Sequence, residues 1–432
     1  MDSERHPADP TVAFGRRPDG TEYLYVPGEL ITDAEDDRSA TRLEGLGAVE
    51  RTDDPPPLPD RHIIGAHRSS YLPRHDPDGR PLTWRPESDP DLAHRGLARI
   101  DRANQPVAAP ALGDLSKRRW YLPDGADTVE MMHRLRKEKK RVQPNHVYAL
   151  QPWWFGHPGN LPRPDAAFGP PPSGKAALDV TVLDTGIRSG WLEDDWFASR
   201  VEAGADDEEL LDTDADGCRD AQAGHGTFIT GVIANRAPNV RVRARRLLSS
   251  VGLTSDVLLA IKIHELIETI GSGVLSLSLG GYTFDDRPPR LLSAALRLLH
   301  RDAVVVAAAG NNSSNRPFYP AAMEEVVAVG SICDGDNPTR SQFSNFGDWV
   351  DCYAHGEDVH STMIIHSGPV VGSPDPDDFD GYARWSGTSF AAPRVAAAIA
   401  QTVADEGIKP RDAFVKLLTS AQTLAAEGSI IV

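Results

Sequence analysis

The second part of the chain alternates between two kinds of sequence segment, and this alternation constrains its fold more than any other feature. Short apolar segments, typical of buried strands, are separated by longer segments with helical periodicity. Strands that alternate with helices predict an α/β fold, with a doubly wound, mostly parallel sheet flanked by helices. Such sheets place their sites at the carboxyl ends of the strands. The predicted strands are 177–183, 240–248, 274–279, 303–309 and 326–332, and the predicted helices are 254–270, 289–300, 388–403 and 410–423, with one more beginning near Gly226.

The chain has 432 residues, which is too long for one small domain and suits one large domain plus an additional module. Residues 1–150 are irregular and rich in Pro, Asp and Arg. Residues 151–174 contain seven prolines and are predicted to be a linker. The sequence therefore divides into an N-terminal module (1–150), a Pro-rich linker (151–174) and the α/β domain (175–432).

The N-terminal module carries its own structural signals. Residues 22–31 predict a strand with a Pro–Gly turn, and residues 142–147 predict a second, short strand. Between them, Asp127 is predicted to cap a helix that extends to about residue 140, because Glu130 follows at the capping-box spacing. Residues 52–98 show no sustained period and predict a long loop or insertion. These elements together predict an α+β module.

Charge and hydropathy exclude several classes of partner. The formal net charge is −18, whereas nucleic-acid binding needs a concentrated basic face, so no nucleic-acid partner is expected. No window approaches the length of apolar sequence that spans a bilayer, so no membrane partner is expected either. The polar first twenty residues lack the apolar core of a secretory signal, which predicts a cytoplasmic protein. Cys218, Cys333 and Cys352 are few and odd in number, and they predict reduced thiols rather than a disulfide framework.

Three polar residues stand where the predicted α/β domain would bring side chains together. Asp184 follows an apolar strand, His225 lies between two glycines at a helix start, and Ser389 opens an Ala-rich helix. Each alone has an ordinary structural explanation, as a turn residue, a structural histidine or a helix cap. Together they match a chemical requirement, because a serine hydroxyl needs a histidine base and that base needs a carboxylate to orient it. The sequence therefore predicts a catalytic triad of Asp184, His225 and Ser389.

A fourth polar residue, Asn311, follows the predicted buried strand 303–309. Attack on a carbonyl group produces an oxyanion, which is stabilised by hydrogen-bond donors that are already in place. The Asn311 side-chain amide and the backbone N–H of Ser389 are the predicted donors.

These residues lie in four motifs that occur in the chain order Asp, His, Asn, Ser. The motifs resemble those of the subtilisin-like serine peptidases, or subtilases, over about residues 175–425. The resemblance implies a subtilisin-like fold and peptide-bond hydrolysis through an acyl-enzyme. The motifs are DTGI from Asp184, HGT from His225, AAAGN ending at Asn311 and GTSFAAP around Ser389.

The same resemblance implies how a substrate is held. Ser278, Leu279 and Gly280 match the family's substrate-binding strand, whose backbone would pair with an extended polypeptide as an added β-strand. Ala309 and Gly310 would line the other wall of the primary specificity pocket.

The N-terminal module also resembles part of a family feature, the propeptide. Propeptides of subtilases act as folding chaperones and inhibitors, with their tail lying in the active site. On this interpretation the module is a partner of its own catalytic domain, and self-cleavage would fall within residues 148–174. The alternative is an accessory domain that packs on the catalytic domain or recruits another protein.

The sequence favours no metal or cofactor. The helix after His225 leaves no room for the Asn- and Gly-rich loop that holds calcium in many subtilases. Residues 212–217 match the opening of a calcium loop, but Ala223 stands at the twelfth position, where such a loop requires a bidentate Glu. They predict an acidic surface loop. A second acidic stretch, residues 375–380, is predicted to be an insertion near the cleft.

Two rival interpretations differ in class from an endopeptidase. An α/β-hydrolase esterase requires a histidine after its serine, and no histidine follows Ser389. A catalytically idle subtilase fold used for binding remains open, although such proteins usually lose a member of the triad. The sequence predicts a serine endopeptidase, with the idle fold as the alternative.

Overall fold

The elements below come from a computed structural model of the chain. It describes residues 5–6, 9–33, 36–51, 119–150, 161–169, 174, 177–213, 217–335, 338–370, 373–424 and 428–431. The loop predicted over 52–98, most of the predicted linker and part of the acidic loop 212–217 lie outside these residues.

The elements are numbered in chain order. The strands are β1 (Arg5–His6), β2 (Asp9–Arg16), β3 (Glu22–Thr32), β4 (Val49–Arg51), β5 (Arg119–Tyr121), β6 (Val142–Ala149), β7 (Arg163–Pro164), β8 (Leu178–Asp184), β9 (Val201–Glu202), β10 (Val240–Arg246), β11 (Leu253–Ser255), β12 (Val274–Leu277), β13 (Val304–Ala308), β14 (Val326–Ile332), β15 (Cys352–His355), β16 (Val359–Val370), β17 (Ser373–Trp385), β18 (Gln422–Leu424) and β19 (Gly428–Ile430). The α-helices are α1 (Asp37–Glu44), α2 (Thr128–Lys137), α3 (Asp195–Ala198), α4 (His225–Arg236), α5 (Asp256–Glu265), α6 (Ile267–Ile270), α7 (Arg290–Leu296), α8 (Thr388–Glu406) and α9 (Pro410–Ser420).

The central sheet confirms the predicted α/β class. Within the described residues it has nine strands, in the order β18-β19-β15-β14-β13-β12-β8-β10-β9. Every pairing in it is parallel except that of β18 with β19. Apolar cores fill both faces, one beneath α4 and α8 and the other beneath α5 and α7. Strands buried on both faces read as continuous apolar runs, which explains why β13 and β14 were recognisable from sequence.

The order in which strands are added to this sheet reverses at β8, in its middle. After β8 the chain adds β10 on one side, and it later returns to add β12 on the other. This arrangement is a topological switch point, where open α/β sheets form a crevice outside the carboxyl ends of their strands. Asp184, the last residue of β8, therefore stands at the mouth of that crevice.

The N-terminal module forms a separate sheet that includes one strand of the α/β domain. Its strands follow the order β1-β2-β3-β5-β4, with β6 paired to β3 and β11 paired to β6. Helices α1 and α2 pack on this sheet around Trp120. The predicted cap of α2 is confirmed, because the Asp127 side chain accepts a hydrogen bond from the Glu130 N–H at 2.8 Å.

Three sequence-based predictions of helix extent were wrong, including the one over 410–423, which ends at Ser420 before β18. The helix predicted over 254–270 instead begins after β11, with Ser255 as its cap, and is interrupted between α5 and α6. The reason is tertiary: residues 253–255 are drawn into the sheet of the N-terminal module by pairing with β6. The helix predicted over 289–300 ends early, at Leu296.

The hairpin of β16 and β17 was not predicted from sequence. The acidic stretch 375–380 forms part of β17, which pairs antiparallel with β16. Residues 163–164 of the predicted linker add a further strand, β7, along β17. The prolines and aspartates of β17 resemble a loop in sequence, because both residue types are depleted in strands. Among the described helices, none has both the length and the apolarity to cross a membrane.

Candidate active site

Asp184 and His225 form a buried, hydrogen-bonded pair at the switch point. Oδ1 of Asp184 lies 2.7 Å from Nδ1 of His225, and both residues are at most 2% exposed. The same oxygen accepts the N–H of Thr185 at 2.8 Å, which fixes the carboxylate at the end of β8. A buried carboxylate at Nδ1 fixes the orientation of the imidazole.

Glycines on both sides of His225 make this close approach possible. Gly224 adopts the left-handed conformation, with φ of 91°, and turns the chain into α4. Gly226 packs directly on the turn after β8, where a Cβ atom would lie 2.3 Å from the carbonyl oxygen of Gly186. Helix α4 therefore begins against the Asp184 turn, at a distance that only glycine permits.

Aromatic rings enclose the imidazole. The ring centroid of Trp385 lies 5.4 Å from that of His225 in an edge-on arrangement, and that of Phe390 also lies 5.4 Å away. Trp385 ends the hairpin strand β17, and this hairpin is anchored to α4 through Ser361 and Thr362, whose hydroxyls donate to carbonyls of the helix. The apolar wall limits access of water to the Asp184–His225 pair, which strengthens their electrostatic interaction.

Ser389 is the second residue of α8 and is 7% exposed. Its hydroxyl donates to the carbonyl oxygen of Ser278 at 3.2 Å, and the Ser278 hydroxyl donates in return to the Ser389 carbonyl oxygen at 2.8 Å. Among the described hydrogen bonds, its hydroxyl is thus paired with Ser278 and not with the imidazole. Its neighbour Phe390 packs on His225. Catalytic hydrogen bonds are often loose in free enzymes and tighten when substrate binds.

The orientation of Asn311 is set by Thr388. Oδ1 of Asn311 accepts hydrogen bonds from the N–H of Thr388 at 2.9 Å and from its hydroxyl at 2.8 Å. The Nδ2 end consequently points to the other side, 3.5 Å from where a Cβ atom would stand on Gly387. The N–H of Ser389 lies in the first turn of α8, where backbone donors have no partner within the helix. The Asn311 side chain is therefore fixed to the residue that precedes Ser389.

The predicted substrate-binding segments surround the same point. Gly280 follows β12 and forms an antiparallel bridge with Ala149, whose N–H donates to the Gly280 carbonyl oxygen at 3.0 Å. The next N–H, of Leu150, donates to the Gly252 carbonyl oxygen at 2.8 Å. On the other side, the Gly310 N–H donates to the Thr388 hydroxyl at 3.0 Å, directly after Ala309. The end of β6 thus pairs with backbone on two sides, at Gly280, which follows Ser278 and Leu279, and at Gly252.

The structure brings most of the predicted residues together and adds others. Asp184 is bonded to His225, while Asn311, Ser278 and Gly310 contact the Thr388–Ser389 turn. Sequence reasoning missed Trp385, although it stands only four positions before Ser389, because no local pattern connects it with the imidazole. In the part of the chain that the structure describes, no group of three or more His, Cys, Asp or Glu side chains is arranged to hold a metal ion.

Comparison with known proteins yields matches over this same part of the chain. The sequence profile of the Subtilase family matches residues 175–429. The "Thermophilic serine proteinase" of Bacillus sp. (strain AK1) is 35% identical over 246 residues, which cover 54% of this chain and 54% of that protein. The "Thermitase" of Thermoactinomyces vulgaris is 29% identical over 260 residues, 58% of this chain and 83% of that protein.

Among solved structures, a cold adapted subtilisin-like serine proteinase matches with a TM-score of 0.46 and 26% identity, covering 60% of this chain and 90% of that one. The chain thus spans about half the length of the first of these relatives.

Proposed function

The chain belongs to the subtilase family, and on that premise we propose that it is a serine endopeptidase that acts through an acyl-enzyme on Ser389. The family relationship confirms the resemblance predicted from the four motifs. The observation that carries the proposal is the buried contact of 2.7 Å between Asp184 and His225, next to the helix that Ser389 opens.

In the proposed mechanism, His225 is the general base and then the general acid. Its Nε2 takes the proton of the Ser389 hydroxyl as the Ser389 oxygen attacks the peptide carbonyl carbon. Asp184, held at Nδ1, keeps the tautomer that leaves Nε2 able to accept this proton and stabilises the imidazolium that results. His225 then protonates the leaving amine, and a water molecule repeats the sequence to release the acyl group.

The oxyanion would be held by the amide of Asn311 and the backbone N–H of Ser389. The support for this assignment is the hydrogen-bonded tie between Asn311 and Thr388, which leaves the donor end of the amide on the opposite side from its oxygen. Because the tie exists before a substrate binds, little reorganisation is needed when charge develops.

A polypeptide substrate would bind as an added strand along Ser278, Leu279 and Gly280. The backbone groups of this segment pair with extended chain already, since Gly280 forms an antiparallel bridge with Ala149. Ala309 and Gly310 would form the opposite wall of the pocket for the side chain at the cleaved bond. Main-chain pairing supplies affinity for many sequences, and the pocket supplies selectivity.

The proposed reaction is tested by covalent labelling with a fluorophosphonate, which transfers its phosphonyl group to an activated serine oxygen and releases fluoride. We expect the intact protein to gain the mass of one phosphonyl group, and the Ser389→Ala variant to gain none. Ser420→Ala, which removes an exposed serine of α9, is the matched control and should label normally. Equal labelling of Ser389→Ala would refute the assignment, and no labelling of the unmodified protein would favour the idle, binding-only alternative.

We further propose that the N-terminal module inhibits its own catalytic domain. Support comes from the end of β6, where the N–H groups of Ala149 and Leu150 donate to Gly280 and Gly252. These acceptors flank the cleft that an extended substrate would enter. The module is also joined to the domain by buried polar contacts, including Asp256, which accepts from His146 at 2.8 Å and from Tyr148.

Self-processing of the module follows from this arrangement. We expect the intact protein to cleave itself within residues 148–174, as the sequence predicts, whereas Ser389→Ala remains one chain of 432 residues. Intact mass spectrometry of the two purified proteins measures the difference and locates the cleaved bond. Since β6 shares a sheet with β11, both fragments should remain associated after cleavage. Two full-length masses that differ only by the oxygen atom lost in the substitution would favour the alternative of a permanent accessory domain.

A further inference from the structure

Glu209 is a buried carboxyl group beside the Asp184–His225 pair that the proposed mechanism does not use. It is only 6% exposed, and it lies in the connection between β9 and α4. Glutamate side chains are rarely buried to this degree unless they are paired or functional. The hydrogen bonds and charges around Glu209 therefore indicate its role.

The backbone of Glu209 is fixed to the turn that carries Asp184. The Ile187 N–H donates to the carbonyl oxygen of Asp207, and the Glu209 N–H donates to the carbonyl oxygen of Ile187, both at 2.9 Å. Ile187 belongs to the DTGI motif that begins at Asp184. Glu209 is thus held in register with this motif by main-chain hydrogen bonds.

The side chain of Glu209 contacts the residue that precedes His225. Its Oε2 accepts the Gly224 N–H at 2.9 Å. Gly224 has no side chain with which to cap α4, so Glu209 supplies a cap from another part of the chain. The residue after His225 is also held by a side chain, because the Gly226 N–H donates to the hydroxyl of Thr185 at 2.9 Å. Glu209 and the Asp184 turn therefore hold the backbone on both sides of His225.

The charge state of Glu209 is coupled to that of Asp184. Among the buried side chains that the structure describes, two carboxyl oxygens have no hydrogen-bond partner: Oδ2 of Asp184 and Oε1 of Glu209. Burial, with the charge of Asp184 adding to it, raises the pKa of Glu209 to about 8.

The remaining charged groups around Glu209 act differently. The hydrogen bonds from the Thr185 hydroxyl and the Gly224 N–H oppose the rise in the pKa of Glu209, and so does the charge of Arg219. Asp207 directs its carboxylate to the N–H groups of Gly204 and Arg246. His225 is the charged partner that the reaction would create. Glu209 consequently gains its charge in the pH range in which a histidine base operates.

We propose that Glu209 is a positioning residue that holds the backbone before His225 and, when ionised, adds a second negative charge beside the Asp184–His225 pair. The inference rests on the proposed function, since the added charge acts by stabilising the imidazolium that forms during catalysis. Ionisation of Glu209 should therefore raise the rate of the reaction above neutral pH.

The test compares kcat/KM for a short peptide amide across pH in the full chain, in Glu209→Gln and in Glu209→Ala. Near pH 6.5, where Glu209 is neutral, Glu209→Gln should match the unmodified protein within about twofold, because Gln keeps the acceptor for Gly224. Above pH 8 the kcat/KM of the unmodified protein should exceed that of Glu209→Gln by about tenfold. Glu209→Ala should be impaired at every pH, because the Gly224 N–H loses its acceptor.

The matched control is Glu29→Gln. Glu29 is equally buried, at 5% exposure, and its pKa is also raised by burial, but it lies in β3 and is bonded to Asn145. The ratio of kcat/KM between the unmodified protein and Glu29→Gln should not change with pH. A ratio for Glu209→Gln that is constant with pH, or one that Glu29→Gln reproduces, would overturn the inference. If the unmodified protein neither hydrolyses the peptide at any pH nor is labelled at Ser389 by the fluorophosphonate, the proposed function itself has failed.

Unfolding provides an independent measurement of the same titration. The folded-state pKa of about 8 exceeds the ordinary value of 4.5, so the native state keeps a proton that the unfolded chain loses. The stability contributed by Glu209 therefore falls as pH rises from 4.5 through 8. The Tm of Glu209→Gln, relative to the unmodified protein, should rise across this window. A Tm difference that does not change with pH would contradict the buried titration.

Discussion

Replacement of His225 by Ala is expected to lower kcat by about 10⁶, because it removes the base that is proposed to accept the Ser389 proton. The magnitude is that measured when the histidine or the serine of a subtilisin triad is removed. In this chain the imidazole is enclosed by Trp385 and Phe390 and bonded to Asp184, so no neighbouring base lies in its place. Steady-state hydrolysis of a chromogenic peptide amide, with active-site titration, measures the loss.

The double variant His225→Ala with Ser389→Ala makes this prediction more specific. Groups that act as one unit are not additive, so the double variant should be no slower than either single variant. His264→Ala, which removes an exposed histidine of α5, serves as the control and should retain full activity. A loss of less than about a hundredfold for His225→Ala would show that another base performs the reaction.

Replacement of Asp184 by Asn is expected to lower kcat by about 10⁴, the second largest effect. The amide has nearly the same shape, so the fold should be retained. It can, however, donate a hydrogen bond to Nδ1 and thereby stabilise the wrong tautomer of His225, and it removes the charge that favours the imidazolium. The geometry makes this consequence direct, since Oδ1 of Asp184 is 2.7 Å from Nδ1.

The control for Asp184→Asn is a carboxylate in the same strand. Asp179 lies in β8 and pairs with Arg241, away from the carboxyl end of the sheet. Asp179→Asn should change kcat by less than about twofold, because its ion pair is partly exposed and contributes little. Near-UV circular dichroism would show that both variants are folded. Equal activity of the two variants would mean that Asp184 has no part in catalysis.

The proposed role of Glu209 joins these predictions to stability. A buried, ionisable group at the site weakens the fold at alkaline pH while adding charge that favours the reaction. The Glu209→Gln variant should therefore be more stable and less active than the unmodified protein above pH 8. A rise in stability together with a loss of activity distinguishes a group that contributes charge to catalysis from one that only packs in the core.

Sequence reasoning reached the fold through patterns that are local in the chain. The apolar run of β14 and the Asp127 cap of α2 depend on neighbouring residues alone, and both were predicted at the positions where the structure has them. The four motifs are likewise short, and in the first two, glycines stand at points of close backbone approach, Gly186 and Gly226. Together with the alternation of strands and helices, they were sufficient to predict the doubly wound sheet and the residues at its carboxyl edge.

Other features depend on contacts between distant segments. Residues 253–255 resemble the start of a helix, yet they form β11 because β6 offers them backbone partners about a hundred residues away in sequence. The β16–β17 hairpin was missed because its prolines, aspartates and glycines are typical of loops, and with it the position of Trp385 on the imidazole was missed. Glu209 gave no signal, since a single glutamate in a polar connection has no pattern to mark it.

The sequence by itself determined the class of fold, the order of the motifs and the chemical identity of the proposed catalytic groups. These depend on side-chain periodicity, backbone freedom at glycine and the reactivity of each residue type, all of which are local. Tertiary structure alone decided that the end of β6 pairs with Gly280, that Trp385 of a hairpin packs on His225 and that Glu209 bonds to Gly224. Those outcomes depend on burial and charge coupling, which arise only when distant segments share the same space.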